Sequence, residues 1–109
     1  MKIIQNGYPK SGNYWLFKIL KSTLEVGNLR YYSNLQNTDL SRLANYWNLS
    51  FPEQSELDVL DIEKNKIFHR IGPYYKHPVA DLGKFLENSN LIWTHSRPNG
   101  NLNKAYRQF

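Results

Sequence analysis

The residues best suited to chemistry stand near the start of the chain, in a loop that contains a lysine between two glycines. Residues 7–15 read Gly-Tyr-Pro-Lys-Ser-Gly-Asn-Tyr-Trp, with Lys10 between Gly7 and Gly12. An apolar strand pattern precedes this loop and a helical pattern follows it, so backbone N–H groups and the positive end of the helix dipole converge on one point. The glycines let the backbone turn tightly, and Lys10 adds a positive charge. The pattern predicts a site for a phosphate or sulfate group.

The loop differs from the nucleotide-binding loop that holds magnesium. That loop has Lys and then Ser or Thr directly after its second glycine, and the hydroxyl group binds the metal ion. In this chain Asn13 and Tyr14 follow Gly12 instead. The loop therefore favours metal-independent chemistry, and a P-loop kinase is the less favoured alternative among enzymes.

The loop and the residues around it resemble a known family. The run Tyr8-Pro9-Lys10-Ser11-Gly12-Asn13, followed by Trp15 and an apolar helix, is similar to the 5′-phosphosulfate-binding loop of the sulfotransferases. The resemblance implies transfer of a sulfuryl group from 3′-phosphoadenosine 5′-phosphosulfate (PAPS) to a hydroxyl or amine of a small-molecule or glycan acceptor, without a metal ion. Tyr14 stands where the family usually has Thr. By this resemblance the donor contacts are Pro9, Lys10, Ser11, Gly12, Asn13, Tyr14 and Trp15.

Two histidines compete for the role of catalytic base. Sulfuryl transfer needs a base for the acceptor's proton, and histidine is the natural base at neutral pH. In the family this base ends a strand, in a pattern that resembles Thr-His-x-Pro. His69 ends the run 67–69, and its chain order and separation from Lys10 resemble the family's, so it is the preferred base. His95 is the alternative, because Thr-His-Ser-Arg-Pro at 94–98 resembles the motif more closely by its letters.

Two cations complete the site that the resemblance implies. Lys10 would stabilise the charge that develops on the leaving phosphate, with His69 as the base. Arg97 is the candidate for the donor's 3′-phosphate, because a guanidinium group binds phosphate through two hydrogen bonds. Arg97 directly precedes Pro98, whereas the family's Arg-x-Pro element would place the arginine at the position of Ser96.

Alternating strand and helix patterns predict the fold. Strands are expected at 2–6, 67–69 and 91–95, and an acidic loop at 48–66. The first helix follows Gly12 and is expected to turn inward its residues Trp15, Leu16, Ile19, Leu20 and Leu24. The next two helices are expected at 39–47, with Asn37 or Thr38 as N-cap, and from Pro78 to Asn88. A further helix is expected to open after Arg97.

This alternation predicts an α/β domain with a P-loop NTPase-like parallel sheet flanked by helices. Residues 1–109 are expected to form a single, partial domain. Complete sulfotransferases continue beyond the equivalent of Phe109, so the resemblance implies a truncated, split or degenerate member of the family.

Composition restricts the classes of function. A length of 109 residues fits one compact domain, and 40% hydrophobic residues suffice for a core. The net charge of +5 suits an anionic ligand. The absence of cysteine excludes disulfides and a cysteine nucleophile. The N-terminus lacks the apolar segment of a signal peptide, and no apolar run reaches membrane-spanning length, which predicts a cytoplasmic protein that does not enter membranes.

A non-catalytic module that binds nucleic acid or another anionic polymer is the alternative from a different class. Such a module would use the chain's lysines and arginines with interleaved tyrosines. These cations are scattered along the sequence and form no run, which favours the sulfotransferase interpretation. The choice of acceptor is expected to depend on residues 48–66 and 73–77. An uncovered sheet edge would allow self-association.

Overall fold

The structure is a computed structural model that describes residues 2–7, 12–36, 38–97 and 99–108. Within these residues the strands are β1 (Ile3–Asn6), β2 (Asp58–Ile62), β3 (Ile67–Ile71), β4 (Tyr75–Pro78) and β5 (Leu91–Thr94). The helices are α1 (Asn13–Val26), α2 (Asp39–Ala44), α3 (Leu82–Glu87) and α4 (Gly100–Gln108), and a 3₁₀ turn covers Pro52–Ser55. The protein is a small α/β domain.

The strands form one mixed sheet in the order β1-β5-β2-β3-β4. β1, β5 and β2 run parallel, whereas β3 and β4 return antiparallel beside β2. The predicted α/β class is confirmed, but the prediction of a parallel sheet is wrong for β3, and β4 is a further antiparallel strand that the sequence did not predict. The reason is the connection from β2 to β3 at residues 63–66, which is long enough for a hairpin but too short for a parallel crossover of about a dozen residues.

The central strand β2 corrects the prediction that residues 48–66 form an acidic loop. Burial alternates along β2, with Asp58, Leu60 and Ile62 buried. A buried carboxylate is rare unless it is hydrogen-bonded. The backbone N–H of Asn34 donates to Oδ2 of Asp58 at 2.8 Å, and this bond from a distant segment makes the strand compatible with its acidic residue.

Helices cover both faces of the sheet. On the α1 face the core consists of Phe17, Leu24, Tyr31, Leu57, Leu91 and Trp93. On the face covered by α3 and α4 the core consists of Leu60, Ile62, Leu86, Ile92, Leu102 and Ala105. Neighbouring residues of β5 therefore serve different faces, as the alternation of side chains along a strand requires. The helix expected after Arg97 is present as α4.

α1 turns a different face to the sheet from the one that apolar spacing predicts. Leu24 is buried as predicted and Leu20 packs against the same core. Trp15 and Ile19, however, are 72% and 59% exposed, and Leu16 is also exposed. The predicted inward orientation of these three residues is wrong, and Phe17 takes the inward position instead.

Contacts at the start of α1 set this rotation. Nε2 of Gln5 on β1 donates to the backbone oxygen of Asn13 at 2.7 Å in the interior. Phe17, one helical turn later, packs against Trp93 and Tyr31 at ring-centroid distances of 5.8 and 6.1 Å. Aromatic contacts of this kind contribute energy beyond burial alone, so they decide the inward face.

The second helix begins where the sequence predicts and ends earlier. Oγ1 of Thr38 accepts a hydrogen bond from the backbone N–H of Ser41 at 3.1 Å, so Thr38 is the N-cap. Asn37, the other predicted cap, lies outside the described residues. α2 ends at Ala44, and the predicted continuation to Trp47 is wrong.

The third helix starts later than predicted. Asp81 caps α3, because its Oδ1 accepts from the backbone N–H of Lys84 at 3.1 Å. Pro78 is the last residue of β4, paired with Phe68, and not the first residue of a helix. Proline has no N–H to donate, and β4 is an edge strand, where a proline is tolerated.

Candidate functional site

The predicted anion loop and the run that contains His95 start at neighbouring strand ends. β1 and β5 are adjacent and parallel, and Asn6 pairs with Thr94 at their carboxyl ends. The backbone N–H of Gly7 continues the ladder by donating to the oxygen of Thr94 at 3.3 Å. In parallel α/β sheets, ligands bind beyond the carboxyl ends of the strands. This edge of the sheet is the candidate functional site.

The structure describes both ends of the loop but not its centre. Pro9, Lys10 and Ser11 lie outside the described residues, so their predicted donor contacts stay predictions. Gly7 is required by a close approach, because a Cβ atom there would overlap Oδ1 of the buried Asn13. Gly12 has φ 83°, in the left-handed region that favours glycine.

The first turn of α1 is suited to an anion. Gly12 is its N-cap and offers no side chain to the helix, and the first turn contains no acidic residue. The first N–H groups of a helix have no partner within the helix, and they carry the positive end of its dipole. An anion beside Gly12 would therefore meet backbone donors and no opposing carboxylate from this turn. Asn13 is buried at the base of the turn.

The side chains of Tyr14 and Trp15 have other surroundings. The hydroxyl of Tyr14 donates to Oε2 of Glu53 at 3.2 Å, and its ring lies 4.4 Å from that of Phe51, centroid to centroid. Trp15 is at the surface. Among the predicted donor contacts that the structure describes, Gly12 and Asn13 adjoin the loop, while the Tyr14 hydroxyl is bonded to Glu53.

His95 is hydrogen-bonded to the start of the loop through one ring nitrogen and to Trp93 through the other. The indole N–H of Trp93 donates to Nε2 of His95 at 3.1 Å, so Nε2 carries a lone pair. Nδ1 therefore carries the proton, and it donates to the backbone oxygen of Gly7 at 2.5 Å. This neutral tautomer holds the ring in place and leaves Nε2 as a basic atom on an exposed side chain.

His95 lines a cavity of about 240 Å³ on the α1 face of the sheet. The cavity is open to solvent on one side and is lined by Phe51, Gln54, Val59, Arg70, Gly72, Pro73, Trp93 and His95. Val59 is paired with Trp93 on one side and with Arg70 on the other, so all three side chains lie on the same face. The cavity thus has apolar walls, with Gln54, Arg70 and His95 as polar groups. Phe51, Gln54 and Val59 come from residues 48–66, where the sequence predicts acceptor recognition.

Arg70 is oriented by an acidic partner. Its Nε donates to Oδ2 of Asp61 at 2.7 Å, and its Nη2 contacts the same oxygen. Lys76 lies 3.8 Å from that oxygen, so one carboxylate faces two cations. The guanidinium group retains further N–H donors beyond this pair.

His69 is separated from the loop by two strands. It lies on β3, whereas Gly7 follows β1, with β5 and β2 between them. Its ring is buried beneath α3, with Phe85 at 5.1 Å between ring centroids. The structure does not bring the preferred base of the sequence analysis to the loop, and it does bring the alternative, His95.

His69 instead faces a buried carboxylate. Its Nε2 lies 3.5 Å from Oδ1 of Asp58. Burial lowers the pKa of His69 to about 4, with a smaller contribution from His77. Burial raises the pKa of Asp58 to about 6, against hydrogen bonds from Asn34 and Ser89 that lower it. Both shifts are opposite to those of an ion pair, so desolvation outweighs attraction between the two groups.

Arg97 follows the strand that carries Trp93, and the chain around it is hydrogen-bonded to β2. Its backbone oxygen accepts from Nδ2 of Asn99 at 2.9 Å, and the same amide donates to the oxygen of Ile62. Oγ of Ser96 accepts from the N–H of Ile62 at 2.8 Å. The Arg97 side chain is exposed beyond the carboxyl end of β5. Pro98 lies outside the described residues.

Sequence reasoning missed three residues that shape this site. Gln5 fixes the start of α1, Trp93 selects the tautomer of His95, and Arg70 lines the cavity. Only Gln5 had a local signal, since it is a polar residue that directly follows the two apolar residues of a predicted strand. The roles of Trp93 and Arg70 depend on strand pairing that no local pattern encodes.

In the described part of the chain no group of three or more acidic, histidine or cysteine side chains could hold a metal ion. Over the same residues no helix has the length and apolarity to cross a membrane. Comparison of the chain with protein-family models, with curated proteins and with solved structures found no match.

Proposed function

We propose that this chain is a sulfotransferase-type domain with a P-loop-like anion site, which transfers a sulfuryl group from PAPS to the hydroxyl group of a small acceptor. The observation that carries the proposal is the hydrogen bond from Nδ1 of His95 to the backbone oxygen of Gly7. Two motifs that resemble the family's, far apart in the sequence, are thereby neighbours. In this proposal His95, and not His69, is the base.

The donor would be held by the loop and the first turn of α1. The 5′-phosphosulfate end would lie against the backbone of the loop and of the first turn of α1, with Lys10 and Ser11 completing the loop. What supports this placement is the first turn itself, which begins after a glycine in the left-handed region and has no acidic residue. Arg97, exposed beyond β5, is the candidate for the 3′-phosphate.

The reaction requires a base for the proton of the acceptor hydroxyl and a cation for the charge that develops on the leaving phosphate. The acceptor oxygen forms a bond to sulfur while the bond from sulfur to the donor's bridging phosphate oxygen breaks. Nε2 of His95 takes the proton of the acceptor hydroxyl, and its hydrogen bond from Trp93 gives way to the acceptor. Lys10 neutralises the charge that develops on the leaving phosphate.

The acceptor would occupy the cavity beside His95. A volume of about 240 Å³ is small for a ligand pocket and suits a molecule with a single ring. Phe51 and Trp93 are stacked at 5.6 Å and form an aromatic wall, while Arg70 supplies a cation. A single-ring phenol fits this chemistry, because its ring meets the aromatic wall while its hydroxyl reaches His95.

The test is calorimetric titration of the chain with adenosine 3′,5′-bisphosphate, the product that keeps both phosphates. We expect saturable binding that is at least about tenfold weaker for AMP and is lost in Lys10→Ala. Lys64→Ala is the matched control, because Lys64 is an exposed lysine in the β2–β3 turn. The proposal fails if Lys10→Ala binds like the wild type, or if AMP and arbitrary oligonucleotides bind equally well with a steep salt dependence.

A further inference from the structure

One side of α1 carries three exposed apolar residues and an exposed serine at regular spacing. Trp15, Ile19, Ser22 and Val26 follow one another at intervals of four, three and four residues. Trp15, Ile19 and Val26 are 72%, 59% and 85% exposed, and Ser22 is exposed as well. This spacing is that of a coiled-coil seam, in which each side chain fits between residues of a second helix. We call these four residues the α1 seam.

The α1 seam is independent of the core. The opposite side of the helix is buried through Phe17 and Leu24 against the sheet. The seam borders an open groove of about 420 Å³, lined by Trp15, Lys18, Ile19, Ser22, Thr23 and Val26. A contiguous exposed apolar surface with polar borders is typical of an interaction site.

We propose that the α1 seam binds the α1 seam of a second copy of this chain, with the two helices antiparallel about a two-fold axis between Ile19 and Ser22. Trp15 then lies opposite Val26 of the second copy, and Ile19 lies opposite Ser22 of the second copy. Trp15 and Ile19 of each copy therefore each contact a smaller side chain of the other copy, and the two-fold axis repeats both contacts, as a self-complementary interface requires. Parallel pairing would instead set Trp15 against Trp15 and Ser22 against Ser22.

Charge complementarity selects this occupant. Lys18 and Glu25 flank the α1 seam on the same side, and both are exposed. Lys18 lies 5.2 Å from the ring centroid of Tyr14, and no ion pair engages Glu25 within the described residues. In an antiparallel pair of helices, the residues that border the same side of the seam on each helix face each other. Lys18 of each copy therefore faces Glu25 of the other, and the contact occurs twice.

The same two charges argue against other occupants. An anionic lipid surface or a nucleic acid would be attracted by Lys18 and repelled by Glu25 on the same border of the seam. α1 has 14 residues and is therefore about 21 Å long, so the interface is short. We expect a weak dimer, with a dissociation constant on the order of 10–100 µM.

Sedimentation equilibrium of the full chain over a wide concentration range tests the proposal. The wild type should fit a monomer–dimer equilibrium, and Ile19→Asp should be monomeric throughout. Lys18→Glu and Glu25→Lys should each weaken dimerisation about fivefold to tenfold, and the double variant should return to within about twofold of the wild type. Recovery in the double variant is the decisive result, because damage to the fold would not be reversed by a second change.

The control is Lys64→Glu, which makes the same charge change on an exposed residue of the β2–β3 turn and should leave the dissociation constant unchanged. Circular dichroism of each variant confirms the fold. The proposal is overturned if the wild type stays monomeric, if Ile19→Asp still dimerises, or if the double variant is no better than the single ones. Binding of the monomer to phosphatidylserine vesicles through Ile19 would overturn it in favour of a lipid surface. The test uses no nucleotide, so its outcome is independent of the proposed function.

Discussion

Nε2 of His69 and Oδ1 of Asp58 lie 3.5 Å apart in the interior. The pKa of His69 is lowered and the pKa of Asp58 is raised, and both shifts favour the uncharged form of the side chain. Between about pH 4 and pH 6 the folded protein therefore holds a protonated Asp58 and a neutral His69. The unfolded chain holds the reverse, an ionised Asp58 and a protonated His69, because the ordinary pKa values are 3.8 and 6.5. Both states bind one proton at this pair.

This pair should therefore make the free energy of unfolding of the wild type depend little on pH. Variants that remove one partner should show a clear dependence on pH. His69 has a lowered pKa in the folded protein, so the stability that its neutral form contributes is lost as pH falls from 6.5 to about 4. In Asp58→Asn only the effect of His69 remains, and the free energy of unfolding should rise with pH across that range by about 2–3 kcal/mol. Urea unfolding at pH 4, 5, 6 and 7 measures the slope.

His69→Gln should give the opposite slope. Asp58 has a raised pKa, so ionisation costs stability as pH rises from 3.8 to about 6. The variant should lose about 2–3 kcal/mol between pH 4 and pH 7 relative to its own value at pH 4. If both single variants were as flat as the wild type, the native pKa values of this pair would be ordinary ones.

Gly7→Ala should destabilise the domain by about 1–3 kcal/mol, because the added Cβ overlaps Oδ1 of the buried Asn13. The control is Gly100→Ala, at the start of α4, where a Cβ meets no atom within 4 Å. That change should be neutral or stabilise by up to about 1 kcal/mol. Thermal unfolding compares the two. Adding Asn13→Ala to Gly7→Ala should recover part of the loss, and a full loss in the double variant would point to a different cause.

His95→Asn should reduce sulfuryl transfer about 10²- to 10⁴-fold, because asparagine cannot take the acceptor's proton. His69→Asn should reduce it much less, since His69 is two strands away from the loop. The rate of sulfated product from PAPS and a single-ring phenol, followed by mass spectrometry, measures both. The reverse order of effects would return the role of base to His69.

His95 should exist as the Nδ1–H tautomer at pH 8. The acceptor at Nδ1 is the Gly7 oxygen, and the donor at Nε2 is the indole of Trp93. Long-range ¹H–¹⁵N correlation spectra distinguish the two tautomers. In Trp93→Phe the proton should stay on Nδ1, while the Nε2 resonance moves because its hydrogen bond is lost. An Nε2–H tautomer in the wild type would contradict the geometry of the site.

Local patterns were sufficient for several elements of this protein. The strand before Gly7, the helix that follows Gly12 and the strand at 91–94 are all present. Each has its signal within a few residues: an apolar run, a glycine in the left-handed region or a helical spacing. The sequence also predicted Thr38 as one of two candidate caps, and Thr38 makes the capping bond.

Only the tertiary structure decided which parts meet. The local sequence predicts Asp58 in a loop, and the hydrogen bond that Asn34 donates to it allows it to lie in a buried strand. The inward face of α1 depends on the packing of Phe17 against Trp93. The choice between His69 and His95 depends on which strand pairs with β1, and pairing joins residues far apart in the chain. By itself the sequence determined the residue types of the site and the elements that carry them. Their proximity follows from long-range hydrogen bonding and packing, which no local pattern contains.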